Sequence, residues 1–202
     1  MKGMIQMCGR YLFDPMSGEM DEYWKIVRNV AKKQNQYDVD EVATGDVYPS
    51  NKVLTLGANK EDQVQPGVTR WGFTGFRKGQ LMINARAESV EEKKTFARAF
   101  REQRCIFPMT GFYEWDSAKN KFLFTNDGKT IYVAGFYRIH ENVAESIIMT
   151  TAPNSTVSPI HDRMPLIIDK KDIGKWVLDL DFARDCLKRD MDKLENLKVK
   201  SA

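Results

Sequence analysis

In Met7-Cys8-Gly9-Arg10 a cysteine directly follows a methionine near the chain start, so removal of the preceding residues would make Cys8 N-terminal. It would then carry an α-amine and a thiol on adjacent carbons, a 1,2-aminothiol. With reference pKa values of about 8 for the amine and about 8.5 for the thiol, both act as nucleophiles near neutral pH. Toward an aldehyde, the amine forms a Schiff base and the thiol closes it to a thiazolidine ring. The plainer reading of Cys8 is a small buried hydrophobe at the start of a first strand. Two further titratable residues have settings suited to proton transfer. After Arg104-Cys105-Ile106-Phe107-Pro108, the run Thr110-Gly111-Phe112-Tyr113-Glu114-Trp115 puts Glu114 among aromatics just beyond a strand. Desolvation there raises a carboxyl pKa toward a useful range; the alternative is a sheet-end carboxylate paired with an arginine. In Ile160-His161-Asp162-Arg163-Met164-Pro165, His161 lies where a polar loop meets an apolar strand, beside two charged neighbours. Modest fields tune an imidazole across neutrality, although a lone histidine also serves as a structural hydrogen-bonding residue. His140, in a polar turn, reads as surface.

Asn84-Ala85-Arg86-Ala87-Glu88 alternates polar and small residues, so an extended conformation puts Asn84, Arg86 and Glu88 on one face. An amide, a guanidinium and a carboxylate make poor core and suit the floor of a polar site, where Arg86 could grip a phosphate bidentately. Trp71, Phe73, Phe112, Tyr113 and Trp115 lie in the same segments and could stack on unpaired bases; taken singly, each suits a core equally well.

These residues need a scaffold, and the pattern supplies one. Arg10 to Phe13 reads as a strand. Ser17 caps a helix whose stripe is Met20, Tyr23, Trp24, Val27, Val30 and Ala31. Gln34 to Gly45 reads as a surface loop. Val53 to Leu56, Val64-Gln65, Val68 to Phe73 and Leu81 to Arg86 carry strand signals. Ser89 suits the cap of a second helix over 91–103, with Glu91 and Glu92 in its first turn and Arg101 and Arg104 at its end. Its Lys93, Lys94, Arg98 and Arg101 read as a solvated face. Strands at 105–107, 121–124, 132–137 and 146–150 have short connections, which favours antiparallel neighbours. A last strand at 165–168 precedes two short helices over 169–180 and 182–187, with Trp176 and Leu178 turned inward and 198–202 frayed. The expected fold is a single α+β domain with a curved, barrel-like antiparallel sheet and flanking short helices.

At 202 residues, 42% of them hydrophobic, the chain suits one soluble globular domain. No run approaches the ~18 apolar residues of a membrane span. Three widely spaced cysteines argue against a disulfide framework and fit a reducing, cytoplasmic compartment. Two histidines and no closely spaced cysteines argue against a metal, and no cofactor is implied. The formal net charge of +3 permits a nucleic-acid partner through a local basic face without requiring one.

Taken in order, Met-Cys-Gly-Arg, Trp71-Gly72, Asn84-Ala85-Arg86-Ala87-Glu88, Arg104 to Pro108 with Gly111 to Trp115, and His161-Asp162-Arg163-Met164-Pro165 resemble the SRAP family, the SOS-response-associated peptidases. Its members crosslink to abasic sites in single-stranded DNA. The resemblance runs from Cys8 to about Trp176 and implies a barrel-like α+β fold with a basic groove for single-stranded DNA. Carried over by motif, Cys8 would form the thiazolidine, Asn84 would position the reacting groups, and Glu114 would shuttle protons in lyase-like Schiff-base chemistry. His161 would assist proton transfer at the sugar. Arg10, Arg86 and Arg163 would hold phosphates, and Trp71 and Trp115 would shape the groove. The partner would be single-stranded DNA with abasic sites, bound by a monomer without metal or membrane, in the cytoplasm or on a bacterial nucleoid.

The sequence departs from the family pattern in three places. Residues 1–7 precede a cysteine that in the family directly follows the initiator methionine, so residues 1–7 read as a leader and 8–202 as the domain. Either translation begins at Met7, or the Cys8 thiol attacks the Met7-Cys8 bond and the chain cleaves itself. Trp71 to Phe76 lacks the proline and second tryptophan usual after this Trp-Gly, and only Pro49 is carried over from Val47 to Asn51. Two other functions compete with crosslinking. One is a cysteine peptidase or N-terminal-nucleophile amidohydrolase using Cys8 with Glu114 or His161; the other is a non-covalent single-stranded nucleic-acid binder.

Overall fold

The computed structural model describes residues 9–17, 20–34, 41–77, 79–191 and 197–202. In chain order these form β1 (Tyr11–Phe13), α1 (Met20–Gln34), β2 (Gly45–Val47), β3 (Lys52–Ala58), β4 (Val64–Trp71), β5 (Phe73–Thr74), β6 (Leu81–Met82) and β7 (Asn84–Arg86). There follow α2 (Lys94–Glu102), β8 (Arg104–Met109), β9 (Gly111–Trp115), β10 (Lys121–Thr125), β11 (Ile131–His140), β12 (Val143–Thr151), β13 (Met164–Pro165), α3 (Ile173–Leu178), α4 (Leu180–Cys186) and β14 (Lys198–Ser201).

Five strands close into a barrel in the order β11-β8-β3-β4-β12, with β12 returning to β11. The expected barrel-like α+β domain is therefore present. Its seam is a short parallel pair, Glu145 opposite Arg70 and Ser146 opposite Trp71, within an otherwise antiparallel barrel. β12 is the strand that organises the site. Along one edge it pairs with β4 and then, in parallel, with β7; at its far end it pairs with β13. Thr150 thus stands opposite both Arg86 and Pro165, which joins two motifs far apart in sequence. A second antiparallel sheet, β14-β10-β9-β1-β2, grows from the barrel where β8 bends into β9. Gly111 occupies that bend, and a Cβ there would lie 2.6 Å from the Phe124 carbonyl oxygen, so a side chain would separate β9 from β10.

Several local expectations are corrected. Glu114 lies inside strand β9, not beyond a strand. After β7 the chain turns into a 3-10 helix over Ala87–Ser89, so Glu88 leaves the extended face shared by Asn84 and Arg86. The second helix begins at Lys94, and Glu91 accepts hydrogen bonds from Arg101 and Arg184 instead of facing a helix N-terminus. Val64 to Trp71 is one continuous strand. Trp176 is buried as expected, but Leu178 is exposed. Residues 198–201 pair with β10 instead of fraying. In the first helix, Met20 and Val27 are buried; the side chains of Val30 and Ala31, and loop residues 35–40, lie outside the described set.

One buried cation holds both helix ends against the barrel. Arg104 at the start of β8 donates to the carbonyls of Phe100 and Arg101 at the end of α2, and to those of Trp176 and Val177 in α3. The four carbonyls are those left without partners by the ends of their helices, and a guanidinium has the donors to satisfy them. Arg104→Ala leaves these buried acceptors unmet, so an expected loss of ~3–5 kcal/mol follows, read from urea unfolding midpoints. A change below about 1 kcal/mol would show that water replaces the guanidinium.

At the opposite end of the barrel from β13, Glu145 is buried on β12 and bonds Arg70, Arg138 and Thr74. Burial opposes its ionisation, but these hydrogen bonds prevail and hold the carboxyl near about 2. A depressed folded-state pKa gives stability that is complete above the ordinary carboxylate range, near ~4.3, and is lost as pH falls toward 2. Glu145→Gln is expected to flatten that part of the thermal stability-versus-pH curve; an unchanged slope between pH 4.5 and 2 would assign the acid loss to other carboxylates.

Candidate active site

The site forms where the barrel's end meets the second sheet. Glu114, on β9, is 1% exposed. His161 approaches it from the loop between β12 and β13, with Nε2 3.9 Å from a Glu114 carboxylate oxygen. That loop is fixed from within. Buried Asn154 accepts from the Val157 amide through its side chain, and the Val157 carbonyl accepts from the His161 amide. The Arg163 amide donates to His161 Nδ1 at 3.1 Å, and Nε2 is the ring nitrogen facing Glu114. Asp162 and the Arg163 carbonyl each lie 3.3 Å from Nδ1. An acid and an imidazole 3.9 Å apart, beyond a direct hydrogen bond, can each exchange a proton with a reacting group placed against both.

β1 runs beside this place. The Arg10 carbonyl accepts from the amide of Tyr113, the residue before Glu114. Cys8 lies outside the described residues, which begin at its neighbour Gly9. Asn84 starts β7, opposite Ile148 on β12, and Arg86 is exposed two residues further on.

A basic and aromatic surface extends from this pair over β1, β2, β9 and β10. The Arg10 guanidinium lies 4.4 Å from the Tyr48 ring centroid and 5.4 Å from that of Trp115. Lys121 sits 3.8 Å above Tyr113. Asp46 lies at the centre, accepting from the Tyr113 hydroxyl at 2.8 Å and standing 3.6 Å from both Arg10 and Lys121. Burial first, and the bond to Asp46 second, push the Tyr113 phenol up to about 12, so it stays protonated as a donor. Asp46, Tyr48 and Lys121 escape a local reading of the sequence. Lys121 had a signal, because the Asp116–Asn120 turn puts it opposite Trp115 across the β9–β10 hairpin; Asp46 had none.

Two residues expected on the groove occupy other positions. Trp71 is wholly buried against Tyr11, its indole donating to the Ile83 carbonyl, so it supports β7 from beneath. Gly72 beside it has φ +117, and a Cβ there would clash with Leu81 at 2.6 Å. Arg163 is buried as a two-pronged clamp, donating to both oxygens of Glu88 and to the Thr150 carbonyl. Its bonds hold the Glu88 carboxyl below the usual range. The clamp ties the segment after the His161 loop to Glu88, just beyond β7, and to β12.

These features define a small α+β barrel protein with a buried acid–imidazole pair beside its N-terminal strand and a basic-aromatic face. The sequence profile of the SOS response associated peptidase (SRAP) family matches residues 7–201, and the chain belongs to that family. It is 30% identical over 215 residues to the abasic site processing protein YoqW of Bacillus subtilis, covering 96% of this chain and 93% of that one. It is 24% identical over 180 residues to the abasic site processing protein YedK of Escherichia coli, covering 85% of this chain and 79% of the relative. A solved structure from Bordetella bronchiseptica shares the fold, with a TM-score of 0.74 and 21% identity, covering 96% of this chain and 99% of the other. No described helix is long and apolar enough to cross a membrane.

Proposed function

We propose that the chain processes abasic sites by binding single-stranded DNA and joining Cys8 covalently to the ring-opened sugar. The observation that carries this reading is the buried Glu114 with His161 at 3.9 Å, on a strand paired with β1, which begins three residues after Cys8 in the chain. Relatives named abasic site processing proteins support the substrate class.

The chemistry begins with release of the Cys8 amine. The Cys8 thiol attacks the Met7 carbonyl, the peptide nitrogen leaves as an amine, and water hydrolyses the resulting thioester. The free amine adds to the abasic aldehyde and loses water to give an imine. The thiol then adds across the imine carbon, closing the thiazolidine. Each step moves a proton to or from oxygen, nitrogen or sulfur, and Glu114 with His161 supplies and receives them. Asn84 orients the sugar. Arg10 and Arg86 meet phosphates, and Trp115 with Tyr48 offers faces to unpaired bases.

The deciding experiment is the intact mass of the purified chain before and after incubation with a single-stranded oligonucleotide holding one abasic site. The expected result is loss of residues 1–7 and a mass increase equal to the oligonucleotide less one water. A chain that starts at Cys8 and gains no mass would overturn the crosslinking reading. Arg86→Ala is expected to weaken non-covalent binding and to lower the slope of log K against log salt by ~0.7, the value of one lost phosphate contact on a single strand. An unaltered slope would remove Arg86 from the phosphate track.

A further inference from the structure

A second surface lies at the barrel end remote from Glu114 and His161. β12 links the two: Glu145 near its start bonds Arg138, and Thr150 near its end bonds Arg163. Four residues of strand lie between them, a span of roughly 16 Å. At the remote end the turn after β5, helix α2 and the last residues of β11 enclose an open groove of about 460 Å³. Phe76, 95% exposed, and Ile139, 59% exposed, form its apolar lips over the small side chain of Ala99. Among its charged lining residues three are cationic, Lys94, Arg98 and Arg138, and one, Glu102, is acidic. Arg138 is anchored in place by Glu145 and by the Thr74 carbonyl. A phenylalanine projecting almost wholly into water beside a second exposed aliphatic side chain gains from being covered.

We infer that this groove docks an acidic peptide segment of a partner protein, one bulky apolar side chain seated between Phe76 and Ile139 and flanking carboxylates paired with Lys94 and Arg98. Charge complementarity sets the sign of the partner. Arg98 is paired with Glu102 one helical turn away in an exposed i,i+4 bridge, a weak interaction that an incoming carboxylate can replace. Single-stranded nucleic acid suits the groove less well. A phosphate track needs several uncommitted cations, whereas Arg138 is held by Glu145. The groove would recruit the protein without occupying its reaction site.

The test uses the full chain and a fluorescein-labelled nine-residue peptide of aspartates and serines around a central Leu-Phe, followed by fluorescence anisotropy. Saturable binding is expected, weakened by salt, with about a tenfold or greater loss in Phe76→Ser and in the double variant Lys94→Glu with Arg98→Glu. All three side chains project to solvent, so the variants should fold, and their adduct formation with abasic oligonucleotide should match the parent. A peptide with the Leu-Phe pair replaced by Ser-Ser should bind at least tenfold more weakly. Absence of saturable binding, or equal binding by parent and variants, would overturn the proposal. Loss of oligothymidine binding in the same variants without peptide binding would also overturn it and reassign the groove to nucleic acid.

Discussion

Cys8→Ala is expected to abolish the covalent adduct with abasic single-stranded DNA while leaving non-covalent retention of an intact oligonucleotide within about twofold. In the proposed mechanism the thiol acts twice. In a chain that begins at Met1, it is the nucleophile that frees its own amine; without it the residue-8 nitrogen stays an amide and forms no Schiff base. In a chain whose residue 8 is already N-terminal, alanine still offers an amine, so an imine forms. That imine has no neighbouring thiol to close it and returns to amine and aldehyde in water. The two cases separate in one gel. Neither form of the variant gives an adduct that survives denaturation, but borohydride reduction should trap the imine only from the Cys8→Ala chain that begins at residue 8. Non-covalent binding persists because Arg10 stacks on Tyr48 and Trp115 and pairs with Asp46. A denaturation-stable adduct from Cys8→Ala would end the thiazolidine mechanism and move the nucleophile elsewhere.

The parts of the fold legible in the sequence are those whose cause is local. The stripe that buries Met20 and Val27 repeats at helical spacing, and the apolar run around Ile106 and Phe107 reads as a strand without help. What a local reading does not reach depends on distant partners. β14 presents four exposed residues and is held through backbone pairing with β10, so its side chains carry no pattern. Ser89 followed by Glu92 resembles a helix start, but Glu91 is drawn to Arg184, 93 residues away, and the helix begins later. The candidate site divides the same way. Glu114 and His161 are legible as chemistry because each sits in an unusual local setting. Arg163 and Trp71 are equally conspicuous, yet the Glu88 carboxylate and the Ile83 carbonyl that engage them lie 75 and 12 residues away. A local string shows that an arginine is present; it does not show which carboxylate reaches it first.

Glu114→Gln is the second large effect expected, a fall of ~10²–10⁴ in the single-turnover rate of adduct formation, the usual worth of general acid–base catalysis. The substitution keeps the shape of a side chain that is 1% exposed and removes its ability to exchange a proton. In the proposed mechanism two steps depend on that exchange: loss of water from the carbinolamine, and protonation of the imine before thiol attack. His161 cannot replace it alone, since its Nε2 faces Glu114 across 3.9 Å and its Nδ1 is occupied by the Arg163 amide. If the pair works as a unit, His161→Asn should cost a similar factor, and the double variant little more than either single one. Multiplied losses would instead mean separate steps, with His161 acting at the sugar and Glu114 at the nitrogen. The pH–rate profile carries the control for structure: catalytic loss removes one limb of the profile, whereas a merely loosened site lowers the rate evenly at every pH. An unchanged rate in Glu114→Gln, with the melting temperature kept, would leave the carboxylate as a structural anchor for His161 and place proton transfer on solvent.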